Sequence, residues 1–316
     1  MKVKYRVRGW HMAFMLALVF ALAGCSTSTG KPSGDAPTRE FIDDMGRHVD
    51  IPTNPQNVVL CEFSPIALTI GLKPAAVCNN DFLNSFTKAS LEGIESVGDP
   101  PNVEKIVSIS PDLMVFSSVY PKIYREVMDQ IEKIAPVVYV NFTDPIYDVF
   151  PKVADALGKK SQVEDWIKGF EADRTGAREK IKQAIGDETV SILRIAKGDL
   201  RVYLSTNFGG YVVRNALQAK AVAKVQAEID KDRWKNAVAI SHELLPEYAG
   251  DHLLLIVEDE EQYKEIQQMA LWKGLPAVKN GQVYLLEAGK YYNSDIITIR
   301  ETMKEVADLL ASGKSK

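Results

Sequence analysis

Arg194 is the residue in this chain best suited to chemistry beyond ordinary packing. It interrupts Ser191-Ile192-Leu193-Arg194-Ile195, an otherwise apolar run. A guanidinium in such a run needs a partner, because burying it unpaired is costly. Its planar fork can hold an anionic group through two parallel hydrogen bonds. Two partners fit, an anionic ligand or a carboxylate inside the same lobe, and the ligand is the favoured reading. A second set of candidates lies at the ends of predicted strands. In the first half these are Phe63, Ser64, Asn80 to Phe82, Tyr120, Asn141 and Phe142; in the second they are Tyr203, Phe208, Trp234, Tyr291 and Tyr292. Aromatic walls suit a ligand with a partly apolar exterior, and Tyr and Trp add a donor. Taken singly, each is better explained by core or surface packing than by ligand contact. Lys88, Lys122, Arg214, Arg233 and Lys290 are further cations to which the sequence assigns no place.

Other residue types exclude more than they propose. Glu104 follows Asn102 and Glu243 follows Ser241, each opening a short predicted helix. A carboxylate in a first turn is favoured by the helix dipole. Outside the amino-terminal segment the histidines are His48, His242 and His252, without the spacing that a zinc or manganese site needs. His242-Glu243-Leu244-Leu245-Pro246 starts like a zinc-protease motif, but Pro246 stands where the second histidine belongs. GxSxG, GxGxxG and a complete P-loop are absent, which weakens an enzyme reading. Cys61 and Cys78 fall at corresponding ends of two predicted strands. An extracytoplasmic disulfide is available to them, but free buried thiols are favoured.

Strand ends gather at one crevice in parallel sheets, whose carboxyl ends face the ligand. Runs such as Asn57–Glu62, Leu113–Phe116, Val137–Asn141, Val190–Ala196 and His252–Val257 are apolar on both faces and separated by helical stretches. That is the pattern of sheets covered on both sides. Between the two sets lies Lys159–Ile185, where Val163, Trp166, Ile167, Phe170, Ala177, Ile181, Ala184 and Ile185 trace one stripe. The fold expected is α/β: two Rossmann-like lobes with mostly parallel sheets, spanning 39–158 and 186–316, joined by one long backbone helix over 159–185. A hairpin turning at Asp44–Gly46 opens the first lobe. Ser64 and Pro65 are expected as N-cap and first residue of the helix after the first strand, and Ser241 as the cap of His242–Tyr248.

The chain has 316 residues, 46% hydrophobic and 25% charged, so a packed core in about two domains is expected. Residues 1–24 read as a secretory signal with a basic start and the apolar run Met12–Ala23. Leu22-Ala23-Gly24-Cys25 matches a lipobox, so the mature chain is expected to begin at a lipidated Cys25. Residues 25–38, rich in Ser, Thr, Gly and Pro, read as a flexible tether. Setting aside Lys2, Lys4, Arg6 and Arg8 leaves 34 basic against 42 acidic residues, a poor balance for binding nucleic acid.

The order of several short motifs resembles the substrate-binding lipoproteins of ABC importers for ferric siderophores, over essentially the whole mature chain. The motifs are Asp44-x-Gly46-Arg47-x-Val49-x-Ile51-Pro52, Asn57-Val58-Val59 and Asn102-Val103-Glu104-Lys105-Ile106 leading to Ser110-Pro111-Asp112-Leu113. Ile134-Ala135-Pro136-Val137 and the segment from Leu271-Trp272 to Val283-Tyr284 complete them. The resemblance implies a monomeric, lipid-anchored receptor on the outer face of the cell membrane, not an enzyme and without a resident cofactor. It would bind an iron(III)-siderophore between the lobes and deliver it to a permease. Arg194 matches the family's siderophore-facing arginine, and Glu104 and Glu243 match the glutamates that bridge to permease arginines. Many relatives have a tryptophan near Tyr291 or Tyr292. Haem or cobalamin is the alternative ligand; a lipid-anchored enzyme acting on a chelate or an envelope polymer is the reading from another class. Hydroxamate or mixed carboxylate chelates suit an acidic domain better than a strongly anionic catecholate.

Overall fold

The structure, a computed structural model, describes residues 37–142 and 144–313. The expected signal and the lipidation site at Cys25 lie outside the described residues, as does most of the tether. Chain entry is a hairpin of β1 (Thr38–Ile42) and β2 (His48–Pro52), whose turn uses Gly46 at φ +74°. Arg47 pins the hairpin to the first lobe: it binds Asp43 and Glu132, donates to the Val137 carbonyl at 2.7 Å and lies over the Tyr139 ring.

The first sheet contains β3 (Val58–Cys61), β4 (Ala76–Val77), β5 (Glu95–Ser96), β6 (Leu113–Ser117) and β7 (Val137–Val140). Their order is β5-β4-β3-β6-β7 and every pairing is parallel. The second contains β8 (Val190–Ala196), β9 (Asp199–Tyr203), β10 (Ala237–Ala239), β11 (His252–Val257) and β12 (Val283–Leu286), in the order β10-β9-β8-β11-β12. Here β8, β11 and β12 are parallel, whereas β9 runs antiparallel to both neighbours. The two-lobed α/β reading therefore holds, with one reversed strand in the second lobe.

Alternation along the strands decides where the cores sit. Val58, Leu60, Leu113, Val115, Ile192, Leu254 and Ile256 point into one continuous core that includes residues of both sheets. Val59, Cys61, Met114 and Phe116 point to a separate core on the outer face of the first sheet. Leu193, Ile195, Leu253 and Leu255 do the same in the second. Each sheet is thus buried on both faces, as its unbroken apolar runs require.

The helix Ser161–Ile185 is unbroken for 25 residues, about 38 Å at 1.5 Å per residue. Val163, Phe170, Ala177, Ile181 and Ile185 are its buried stripe, while Ala184 is exposed. It begins after Gly158, which sits at φ +68° with the Thr53 carbonyl 2.6 Å from where a Cβ would be, so glycine is required twice over. The closing helix Ile296–Ser312 packs along it and also touches the first-lobe helix Ser64–Thr69. A buried polar link reinforces this junction. Asp295 caps the closing helix, accepting from Ile297 and Thr298 amides, and also accepts from Asn84 Nδ2 of the first lobe at 2.8 Å.

Three local expectations are corrected. Cys61 and Cys78 are joined in a disulfide, Cα to Cα 4.9 Å, because the parallel register sets Leu60 opposite Val77 and brings the strand ends together. Ser64 is the first residue of its helix, not its cap; Phe63 holds the cap position without a side-chain bond. Ser241 makes no capping bond either, and its helix splits into a 3-10 turn, His242–Leu244, and Leu245–Tyr248. Asn102 does cap its helix, accepting from the Lys105 amide at 2.9 Å. The helix Ala223–Lys231 and strands β5 and β10 were not anticipated. The disulfide closes a loop of separation 17. Reducing it, or replacing both cysteines by serine, should lower unfolding stability by about 3 kcal/mol, read from the urea midpoint with and without reductant.

Candidate functional site

A cleft of about 1870 Å³ opens between the two lobes, lined by loops and helices beyond the strands. Its first-lobe wall is built from the carboxyl ends of β3, β4 and β7: Glu62 and Phe63, then Asn80, Asp81, Leu83 and Asn84, then Phe142 and Asp144. The disulfide ties the two segments that carry Glu62 and Asn80. Asp81 is buried and accepts from the Glu62 and Ser64 amides at 3.0 and 3.1 Å, which fixes the bend after β3, where Glu62 adopts φ +81°. Burial pushes the Asp81 carboxyl up from 3.8 to about 6, against the pull of its donors at Ser64 and Glu62. Burial also raises Glu62, opposed by a hydrogen bond from Asn80 and reinforced by the charge of Asp99.

This raised carboxyl makes stability depend on pH. The folded state holds the Asp81 proton more tightly than the unfolded chain does, so this group's stabilisation is complete below pH 3.8 and fades as pH rises through about 6. The loss is at most about 3 kcal/mol. Urea midpoints measured from pH 4 to pH 7 should fall less steeply for Asp81→Asn than for the parent.

The second-lobe wall holds the cations of the cleft, beside the carboxylates Asp187 and Asp295. Arg214, Lys220 and Arg233 line it, with Thr206, Asn207, Tyr211, Asn215 and Gln218 between them. Arg214 has no ion-pair partner among the described residues: it donates to the Ala219, Lys220 and Val190 carbonyls, and burial lowers its pKa to about 10. Arg233 lies 4.5 Å from the Trp234 ring centroid. The mouth carries large apolar groups left in water: Leu83, Phe142, Trp234 and Tyr292 are 68%, 48%, 57% and 61% exposed. Solvated rings converging on one concavity mark a binding surface.

The geometry sorts the sequence candidates. Phe63, Asn80, Phe142, Trp234 and Tyr292 line the cleft. Arg194 does not: it is paired with Glu258 and stacked over Phe208 at 5.2 Å. Tyr203 packs on Phe208 at 4.7 Å, and Phe208 meets the cleft-lining Tyr292 edge-on at 5.2 Å. Arg194, Tyr203 and Phe208 thus form the layer beneath Tyr292. Tyr291 is buried, with its ring 3.3 Å from the position of a Cβ on Gly209, whose φ is +81°. Ser64 and Tyr120 are buried, and Phe82 packs against the shared core. Glu62, Asn84, Thr206, Asn207 and Gln218 were missed. The strand-end rule should have found Glu62, which ends an apolar run; the others are loop and turn residues with no local signature. Glu104 and Glu243 are exposed, without ion-pair partners among the described residues. A hydrogen bond from Ser241 lowers the Glu243 pKa.

A family model described as periplasmic binding protein matches residues 85–289. The chain belongs to the periplasmic binding protein family. Members of this family bind substrates and are not enzymes. This periplasmic binding protein is 28% identical to the iron(3+)-hydroxamate-binding protein FhuD of Bacillus subtilis (strain 168), with 94% of this chain and 96% of the relative aligned. It is also 28% identical to the iron(3+)-hydroxamate-binding protein YxeB of the same organism, over 94% of each chain. A solved periplasmic binding protein component of a Fep/Fec-like ferrichrome ABC transporter from Bacillus subtilis superposes with a TM-score of 0.74 at 26% identity. The match covers 86% of this chain and 99% of that one. In this periplasmic binding protein the segments of Asn57 and Asp112 are scaffold: Asp112 accepts from the Gln56 and Asn57 amides, and Asn57 donates to the Ile109 and Ser110 carbonyls.

Proposed function

We propose that this protein is a lipid-anchored extracytoplasmic receptor that binds an iron(III)-siderophore in the interlobe cleft and hands it to an ABC permease. The observation that carries the reading is the cleft itself, where solvated rings of Phe142, Trp234 and Tyr292 converge beside Arg214, Lys220 and Arg233. Rings pack on a chelate's apolar exterior, and guanidinium and ammonium groups meet its oxygens. The iron stays in the chelator's hands. The relatives named for iron(3+)-hydroxamate binding point to hydroxamates as the ligand class. Lobe closure is modest, because one core and two packed helices run through the junction.

Fluorescence titration tests this. Of Trp166, Trp234 and Trp272, Trp234 alone lines the cleft. A ferric hydroxamate should quench saturably at submicromolar concentration, its iron-free form much less, and Trp234→Phe should lose most of the signal. Saturable quenching only by haemin or cobalamin would replace the ligand class. Glu104 and Glu243 supply one exposed carboxylate at a helix start in each lobe, a pair suited to cationic sites on two permease subunits. Glu104→Ala with Glu243→Ala should reduce uptake by cells at least tenfold while chelate affinity stays within twofold.

A further inference from the structure

The cations that line the cleft all stand on one wall. The first-lobe lining contains Glu62, Asp81 and Asp144 and neither lysine nor arginine; the second-lobe lining contains Arg214, Lys220 and Arg233 beside Asp187 and Asp295, the latter spent on capping the closing helix. Behind the acidic wall stands Asp99, just past β5. Asn80 Nδ2 bridges the set, donating to Glu62 Oε1 at 2.9 Å and to Asp99 Oδ2 at 3.4 Å. Glu62, Asp81 and Asp99 have no ion-pair partner among the described residues. Three carboxylates gathered at the ends of neighbouring strands without a cation repel one another, and each is partly or wholly shielded from water. Tyr120 adds an independent sign. It is 5% exposed, its hydroxyl has no hydrogen-bond partner, and Glu62, Asp99 and Asp81 all act on that hydroxyl electrostatically. A buried hydroxyl left unpaired beside uncompensated carboxylates calls for a group that donates to both.

A metal ion is a poor occupant, since no three His, Cys, Asp or Glu side chains among the described residues are placed to hold one. A protonated amine fits better: it carries one positive charge and three donors in a compact head. We propose that Glu62 and Asp81 at the cleft surface, backed by Asp99 and Tyr120, form a subsite for a protonated amine on the siderophore, so that the receptor selects chelates carrying such a group. This inference rests on the receptor reading above. The amine lodges at the first-lobe wall, and the oxygen-rich ferric centre faces Arg214 and Arg233 across the cleft. Cations confined to one wall, facing carboxylates without a cation on the other, thereby fix the ligand's orientation.

The test compares two probes with one ferric core: a linear ferric trihydroxamate ending in a primary amine, and the same complex with that amine acetylated. Dissociation constants are measured by calorimetry at pH 7 and low salt. The parent protein should bind the amine form about tenfold more tightly, one ion pair's worth in a half-buried setting. In the double variant Glu62→Gln, Asp99→Asn the ratio of the two constants should fall to near one, whatever the absolute affinities. A parent ratio of one or below overturns the inference while leaving the receptor reading intact. A tenfold ratio that survives in the double variant overturns the assignment to this wall. Binding of neither probe overturns the inference together with the reading beneath it. The parent ratio stands alone as a test if the double variant does not fold.

Discussion

Truncating Trp234 and Tyr292 together to alanine should weaken binding of the ferric chelate by roughly a hundredfold or more, with unfolding stability within about 1 kcal/mol of the parent. The two effects separate because of where the rings sit. Both are more than half exposed, so their removal opens no cavity in a core. Each lies at the cleft mouth, where an aromatic anchor is commonly worth about 2 kcal/mol, and two such losses exceed a factor of about a hundred. Trp234 is covered by Arg233, and Tyr292 rests on Phe208. Calorimetric titration and urea denaturation of the same variant check both halves.

The second large effect is on stability. Phe170→Ala in the helix Ser161–Ile185 should cost about 3–5 kcal/mol of unfolding stability. Phe170 is fully buried, stacks on Trp166 at 5.2 Å with the planes 7° apart, and meets Tyr147 at 6.2 Å. It belongs to the core that includes residues of both sheets, so the cavity loosens the junction that sets the distance between the cleft walls. Gln183→Ala on the exposed side of the same helix should change stability by about 0.5 kcal/mol or less. The difference between their urea midpoints is the measurement.

The strands of the scaffold were legible because burial on both faces writes itself into sequence as continuous apolar runs. Val190–Ala196 and His252–Val257 were readable to the residue. The helix Ser161–Ile185 was readable for the same reason, through its stripe. Short, half-exposed elements carry weaker patterns: β5 has two residues, and β10 is identifiable only once β9 supplies its partner. The disulfide was misjudged because sequence does not fix register, and only the Leu60–Val77 pairing sets the two cysteines side by side.

The cleft was legible in outline and not in detail, and Arg194 shows why. An arginine in an apolar strand demands a partner, but nothing local says whether that partner is a ligand or Glu258, sixty-four residues away. Arg214 illustrates the converse. It stands in the short π-helix Tyr211–Ala216, anchored by backbone carbonyls, a role invisible in its neighbours in sequence. The strand-end rule located Phe63, Asn80 and Phe142, since parallel strands present their carboxyl ends to one crevice. It could not choose among aromatics on the second lobe, where β9 reverses and brings Tyr203 back beside Ile192.

The proposed receptor is expected to hold one ferric siderophore in its cleft and to release it unaltered. Equilibrium dialysis of the soluble domain against a ferric trihydroxamate labelled with radioactive iron tests that most directly. Retention should saturate at one equivalent of iron per protein, with the chelate recovered chemically intact. No retention of ferric chelate, or a modified chelate accumulating beyond one equivalent, would contradict it.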